Sequence, residues 1–216
     1  MVLSLVSFSP AVVVLYFLLG EFEGYFKDNK ALFMMILGLG LGMIIGFFSL
    51  YFPIGYLSWA LGIIALIEIV KFFILLQKPF RLNHDTTFYG TALGTGIGAM
   101  MVFVYSFAAG LVSLDLLTVL LVFFISYNYT LVNASTGAII GYGCYTGEFW
   151  KYLSKGFILS AIHGSMMTFV WSFRFGRTGI LAVLTIGGVY GTVLIFYVYN
   201  NIFPKTIPEE MKEIKE

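Results

Sequence analysis

Apolar stretches of about twenty residues recur along this chain, and a helix of that length can cross the hydrocarbon core of a bilayer. Of its 216 residues, 60% are hydrophobic and 11% are charged, against about 45–50% and about 25% in soluble domains. The sequence therefore predicts an all-α fold, a polytopic bundle of membrane helices. Seven transmembrane helices are predicted, at roughly 2–20, 31–52, 54–77, 87–111, 114–147, 155–173 and 178–202.

Lysine and arginine residues are divided unevenly between the two ends of the predicted helices. Loops on the cytoplasmic side of a membrane carry an excess of these residues. With seven spans only Arg174 and Arg177 fall on one side, Lys71 being left out as intramembrane, whereas an eighth span within 114–147 would make the division almost even. We therefore expect seven spans, an outside N-terminus, a cytoplasmic C-terminus and a long fifth helix. The basic residues on the other side are Lys27, Lys30, Lys78, Arg81, Lys151, Lys155, Lys205, Lys212 and Lys215.

The sequence predicts one domain followed by a short tail. Residues 1–203 contain all the predicted helices, and residues 204–216, PKTIPEEMKEIKE, are predicted to be a charged, solvated cytoplasmic tail. The 12 basic and 11 acidic side chains nearly cancel, so nothing in the sequence indicates binding to nucleic acid. We expect an integral, multi-pass protein of the cell membrane.

Two charged residues stand inside the very apolar stretch IIALIEIVKFFILL at 63–76. A charged side chain at the bilayer centre costs about 2.5–3.5 kcal/mol on insertion scales. Glu68 and Lys71 are three residues apart, so on a helix they share one face and can pair. Two interpretations stay open. The residues are either a self-neutralising ion pair in which Lys71 extends to the headgroups, or Glu68 belongs to a site inside the membrane.

Few other polar side chains fall within the predicted spans. Asn133 lies in the middle of the fifth helix and His163 in the middle of the sixth. Zinc normally takes three or four His, Cys or carboxylate ligands. The predicted membrane region offers only Glu68, His163 and Cys144, so the sequence indicates no metal site and calls for no cofactor. A carboxylate and a histidine can instead activate water, with Glu68 as the base and His163 as the donor to an oxyanion.

Glycines recur at four-residue spacing in the second, fourth and fifth predicted helices. This spacing lets helix backbones approach closely within a membrane. We expect these three helices to lie at the centre of the bundle. The glycines concerned are Gly38, Gly42, Gly46, Gly90, Gly94, Gly98, Gly137 and Gly141.

Four segments follow one another in the order IEIVKFF, FYGTALGTGIGAMM, NASTGAIIGYGCYTG and KGFILSAIHGSMM. This order resembles a membrane-protease superfamily that includes the CAAX-prenyl endopeptidases and the PrsW proteases. It is also similar to that superfamily's non-catalytic relative, the anterior-pharynx-defective scaffold subunit of γ-secretase. The resemblance covers residues 60–170, which is most of the chain.

The resemblance implies a role for six positions. In the protease pattern a Glu-Glu pair precedes a basic residue, a glycine-rich helix ends at an acidic or histidine position, and two histidines follow. On this chain these groups fall, in order, on Ile67, Glu68, Lys71, Met101, Asn133 and His163. The leading glutamate, which is thought to activate water in the PrsW-like enzymes, is therefore missing here. The scaffold subunit is more similar, since it has seven spans and a single glutamate before a basic residue on its third helix.

We therefore expect a degenerate, non-catalytic member of this superfamily that acts as a membrane scaffold or substrate-binding protein. Its expected partners are the lipid bilayer and either another membrane protein or a transmembrane substrate. In this hypothesis Glu68, Lys71, Asn133 and His163 form a buried polar network that fixes helix packing. The alternatives are an active intramembrane endopeptidase that uses Glu68 and His163, and a small transporter or channel whose polar residues line a pathway.

Overall fold

The chain consists of helices and short connections. The computed structural model describes residues 2–51, 56–110, 116–172 and 177–210, and within these ranges it contains no β-strand. The predicted all-α fold is therefore confirmed. A π-helical turn (Val198–Ile202) joins the last two helices. The helices are α1 (Val2–Gly20), α2 (Asp28–Leu50), α3 (Leu57–Leu75), α4 (Thr86–Ala108), α5 (Leu116–Thr146), α6 (Phe149–Ser172), α7 (Arg177–Tyr197) and α8 (Phe203–Thr206).

Five helical segments within the described ranges are long and apolar enough to cross a membrane. They are α2, α3, α4, α5 and the continuous stretch Ala182–Thr206, which runs from α7 through the π-helical turn to α8. α1 contributes a shorter apolar helix, Leu5–Gly20. This pattern is compatible with an integral multi-pass membrane protein. That the chain has seven spans, with the N-terminus outside and the C-terminus cytoplasmic, stays a prediction.

Two of the boundaries predicted from polar stretches differ from those in the structure. The stretch EFWKYLSK at 148–155 was predicted as a connection, but α6 already begins at Phe149. The tail predicted at 204–216 starts inside the fold, because α8 ends at Thr206 and both Thr206 and Ile207 are buried. A lysine in the sequence indicates where the apolar surface of a helix ends. The helix itself can continue past that lysine, as α6 does at Lys151 and Lys155.

α4 and α5 pack with their backbones in contact. A Cβ atom at Gly90 or Gly94 would overlap a carbonyl oxygen of α5, and a Cβ at Gly137 would overlap one of α4. Gly98 and Gly141 extend the same contact, since a Cβ at either would lie 2.6 Å from a carbonyl oxygen of the opposite helix. A larger residue at any of these positions forces the two helices apart.

α2 packs on a different face of α4 through a second glycine contact. Gly38 and Gly42 lie against the main chain of α4 at Leu93 and Ile97, and Gly96 lies against the main chain of α2. α4 therefore has glycines on two faces, and both of its main neighbours reach its backbone. Around this centre, α1 packs across α4 and α5, α7 packs on α5 and α6, and α3 packs mainly on α6.

Several basic residues lie near one end of the bundle, each in contact with an aromatic side chain. Arg81, after α3, lies with its guanidinium 5.0 Å from the centre of the Phe149 ring at the start of α6. Lys155 donates a 2.6 Å hydrogen bond to the Tyr197 hydroxyl at the end of α7. Lys30, near the start of α2, lies over an aromatic ring at the start of α4. The connections that carry the predicted cytoplasmic lysines and arginines therefore share one end of the fold.

Replacing Gly94 with alanine is expected to destabilise the fold, because the added Cβ must push α4 away from α5. Overpacking of this kind costs about 1–3 kcal/mol, and thermal unfolding in detergent micelles should show the lower Tm. Gly40→Ala on α2 is the matched control, since a Cβ there meets no atom within 4 Å. The Tm of this control should equal or exceed that of the wild type. Equal Tm values for the two variants would contradict the backbone contact.

Candidate functional site

α3 runs antiparallel to α6, and the register of the two helices places Glu68 opposite Ser160. Ile64 on α3 meets Gly164 on α6, and two turns further along α3 the ring of Phe72 packs near two aromatic rings at the start of α6. Between these contacts Glu68 faces Ser160. The small residues of α6 that face α3 recur every four positions, so α3 packs closely and its carboxylate reaches the interior of the bundle.

The carboxylate of Glu68 joins three helices. The residue is 1% exposed. Its Oε1 accepts hydrogen bonds from Lys71 Nζ on α3 at 3.0 Å, from Ser160 Oγ on α6 at 2.6 Å and from Thr136 Oγ1 on α5 at 3.2 Å. Hydrogen bonds to an ionised group are roughly twice as strong as those between neutral groups. This one oxygen atom therefore fixes the position of α3 against α5 and α6.

The ammonium group of Lys71 turns inward to α5. The side chain is 0% exposed, and Nζ donates to Glu68 Oε1 at 3.0 Å, to Thr136 Oγ1 at 2.9 Å and to the main-chain oxygen of Asn133 at 3.4 Å. The ion pair of the first interpretation is therefore present, but Lys71 is buried and does not extend away from the bundle as that interpretation supposed. The physical reason is that α5 supplies two oxygen acceptors beside Glu68, which satisfy the ammonium where it is.

Three of the predicted site residues contribute no polar side chain to this cluster. The side-chain amide of Asn133 donates to the main-chain oxygen of Tyr129, one turn earlier on α5, at 2.9 Å. Only the carbonyl group of Asn133 faces Lys71. Ile67 and Met101 are buried in the apolar core. Asn133 therefore contributes to the cluster through its main chain, whereas Ile67 and Met101 belong to the apolar core.

His163 is buried, and its Nε2 makes no hydrogen bond to the cluster. It is 4% exposed, and its ring lies edge-on to that of Tyr129, with centroids 5.2 Å apart and an interplanar angle of 81°. Its Nε2 has no hydrogen-bond partner in the part of the chain that the structure describes. Aromatic packing against α5 is therefore the contact that holds this side chain.

The free oxygen of Glu68 lies near Gly156, which precedes Ser160 on α6, whereas His163 follows Ser160 in sequence. Oε2 of Glu68 is also buried without a partner among the described residues. It lies 3.6 Å from the position that a Cβ would take at Gly156, one turn before Ser160 on α6. His163 follows Ser160 by almost one turn. The two free atoms are not hydrogen-bonded to each other, since neither has a partner among the described residues.

Ser160 is the residue of the cluster that the sequence did not point to at first. The signal for Ser160 is its place in the series Gly156, Ser160 and Gly164, which repeats at four-residue spacing within KGFILSAIHGSMM. Such a series indicates a close helix contact. A serine within it lies near whatever polar group the opposite helix carries, here Glu68.

Neither a group of metal ligands among the described residues nor a known relative identifies this site. Among the residues that the structure describes, no three His, Cys, Asp or Glu side chains come together in a group that could hold a metal ion. Comparison with protein-family models, with curated proteins and with solved structures finds no match to this chain. The resemblance to the membrane-protease superfamily therefore stays a prediction.

Two Glu–Lys pairs with the same three-residue spacing provide a controlled test of the cluster. Glu68–Lys71 is buried, whereas Glu148–Lys151, with N···O of 2.7 Å, has side chains 50% and 65% exposed. Removing one partner of a buried pair costs about 3–5 kcal/mol, because the other charge stays buried. Removing one partner of an exposed pair costs little.

We therefore expect Glu68→Ala to lower the Tm strongly and Glu148→Ala to leave it almost unchanged. Thermal unfolding of both variants in the same detergent measures the difference. A similar Tm for both would show that the Glu68 cluster does not hold the helices together.

Proposed function

We propose that this chain is a non-catalytic membrane scaffold or substrate-binding protein, a degenerate member of the superfamily of the CAAX-prenyl endopeptidases and PrsW proteases. The observation that carries the proposal is the environment of Glu68. A general base must reach the water that it activates. The carboxylate here is almost fully buried, and its Oε1 is shared by Lys71, Thr136 and Ser160. These contacts suit a group that connects helices.

In this proposal the chain lies in the cell membrane with seven spans, an outside N-terminus and a cytoplasmic C-terminus. The five long apolar helices among the described residues support the membrane location. Arg81, Lys155 and Lys30 lie near one end of the bundle. This supports the orientation, because basic residues favour the cytoplasmic side. The partners are the lipid bilayer and either another membrane protein or a transmembrane substrate.

A scaffold is expected to be found in a complex, and native gel electrophoresis of mildly solubilised source membranes tests this. The chain should migrate in a complex of defined size, larger than the 24.1 kDa protein purified alone in the same detergent. Glu68→Ala should reduce the amount of this complex, because α3 loses its fixed position, whereas Glu148→Ala should not. A chain that migrates only as the isolated protein would contradict the proposal.

An intramembrane endopeptidase is the second candidate, and two atoms favour it. Glu68 Oε2 and His163 Nε2 are both buried and have no partner among the described residues, as expected for groups that await a substrate. In this candidate Glu68 is the base and His163 the donor to the oxyanion.

His163→Phe distinguishes the two candidates, because it keeps an aromatic ring against Tyr129 and removes the free nitrogen. Under the scaffold proposal its Tm equals or exceeds that of the wild type, whereas His163→Ala, which leaves a cavity, has a lower Tm. Purified wild-type protein should also leave single-pass transmembrane substrates intact. Cleavage by the wild type that is lost in folded His163→Phe would establish the endopeptidase instead.

A further inference from the structure

The oxygen atoms around Lys71 Nζ match the hydrogen-bonding capacity of an ammonium group. An ammonium has three donors and no acceptor. Three oxygens of different kinds surround Nζ, namely a carboxylate oxygen of Glu68, the hydroxyl oxygen of Thr136 and the carbonyl oxygen of Asn133. The group is 0% exposed, so these oxygens replace water for it. The number of acceptors and the single negative charge both fit one monovalent cation.

The distances suit an ammonium group and are longer than those that small, hard cations make to oxygen. The three oxygens lie 2.9–3.4 Å from Nζ, which is the range of N–H···O hydrogen bonds or slightly longer. Calcium binds oxygen at about 2.3–2.6 Å and magnesium at about 2.0–2.1 Å, with six or more ligands. The oxygens also belong to two helices that are fixed by other contacts, Glu68 to Ser160 on α6 and α5 to α4 through glycines.

We propose that the junction of α3, α5 and α6 is a binding site for a primary ammonium cation, which Lys71 occupies from within the chain. The site, called here the ammonium site, consists of Glu68 Oε1, Thr136 Oγ1 and Asn133 O. It is selective for N–H donors and charge, and it accepts a free alkylammonium ion when the lysine ammonium is withdrawn. This inference deepens the proposed function and rests on its statement that the Glu68 cluster fixes α3. One consequence is that a tethered cation cannot leave, so the site carries no ion flux.

Chemical rescue of a shortened lysine tests this inference. Lys71→Ala removes three methylene groups and the ammonium, which together correspond to n-propylammonium. The full chain is purified with n-propylammonium chloride present, and its Tm is then measured with and without this salt. Rescue requires a rise of about 3 °C or more in the variant, a shift that ligand binding to the folded state produces. The wild type should not respond, because its site is filled.

Three controls separate the ammonium site from general salt and packing effects. Tetramethylammonium chloride at the same concentration has the charge but no N–H donor, and it should not raise the Tm of Lys71→Ala. Lys71→Met fills the space of the lysine chain and should not respond to n-propylammonium. The double variant Glu68→Gln/Lys71→Ala lacks the negative charge and should lose the rescue.

Lys71→Arg supplies a second test in a variant that keeps the charge. A guanidinium has five donors on a planar, larger group, so the three oxygens cannot match it, and a Tm below that of the wild type is expected. The inference is overturned if Lys71→Arg is as stable as the wild type, if no rescue of Lys71→Ala occurs, or if tetramethylammonium rescues equally. A destabilised Lys71→Ala without rescue would leave the scaffold proposal standing, since the complex on native gels tests that proposal separately.

Discussion

The backbone contact between α4 and α5 is the interaction on which the other contacts of this bundle depend. Lipid tails are as apolar as the side chains they surround, so helices in a membrane associate through close packing and hydrogen bonds. At Gly94 the two helices approach so closely that the carbonyl oxygen of Asn133 occupies the space of a Cβ. The same oxygen accepts a hydrogen bond from Lys71. The glycine contact thus positions one of the three acceptors of the buried cation.

The docking of α3 shows how the polar cluster depends on the contact between α4 and α5. Thr136 and Gly137 are consecutive residues of α5, and they face different neighbours. Gly137 meets α4, whereas Thr136 bonds to Glu68 and Lys71 of α3. Because α5 is fixed against α4, the Asn133 and Thr136 oxygens that it presents to α3 lie at fixed positions. α3 then docks through one buried ion pair, which is stable only because each of its charges finds these oxygens or Ser160.

The fold class and part of the site were predictable because they depend on short-range patterns. Apolar runs of helical length predict an all-helical protein, and the three-residue spacing of Glu68 and Lys71 predicts their pairing. Thr136 and Ser160 were not predictable in the same way. Serines and threonines in membrane helices often bond to their own helix, as Ser135 does to Leu131. Which of them reaches another helix depends on the register of α3 on α6, and that is a property of the folded chain.

His163 shows why a role assigned by residue type alone is weak evidence. Its sequence position in the middle of a predicted span suggested a partner for Glu68. The antiparallel register of α3 and α6 instead turns the free oxygen of Glu68 towards Gly156, and His163 packs on Tyr129. Glu68 Oε2 and His163 Nε2 are therefore not hydrogen-bonded to each other, although the linear pattern pairs their residues.

The Glu68 cluster holds α3, α5 and α6 together and excludes water. The accessibility of position 160 to a water-soluble reagent tests this most directly. Ser160→Cys in a Cys144→Ala background places a thiol beside Glu68, and Asn83→Cys in an exposed loop serves as the reactive control. A membrane-impermeant thiol reagent is applied to both faces of the protein in lipid nanodiscs. The account predicts rapid labelling at position 83 and none at position 160. Labelling at position 160 would show water at the carboxylate and would contradict the account in favour of an active site or a pathway.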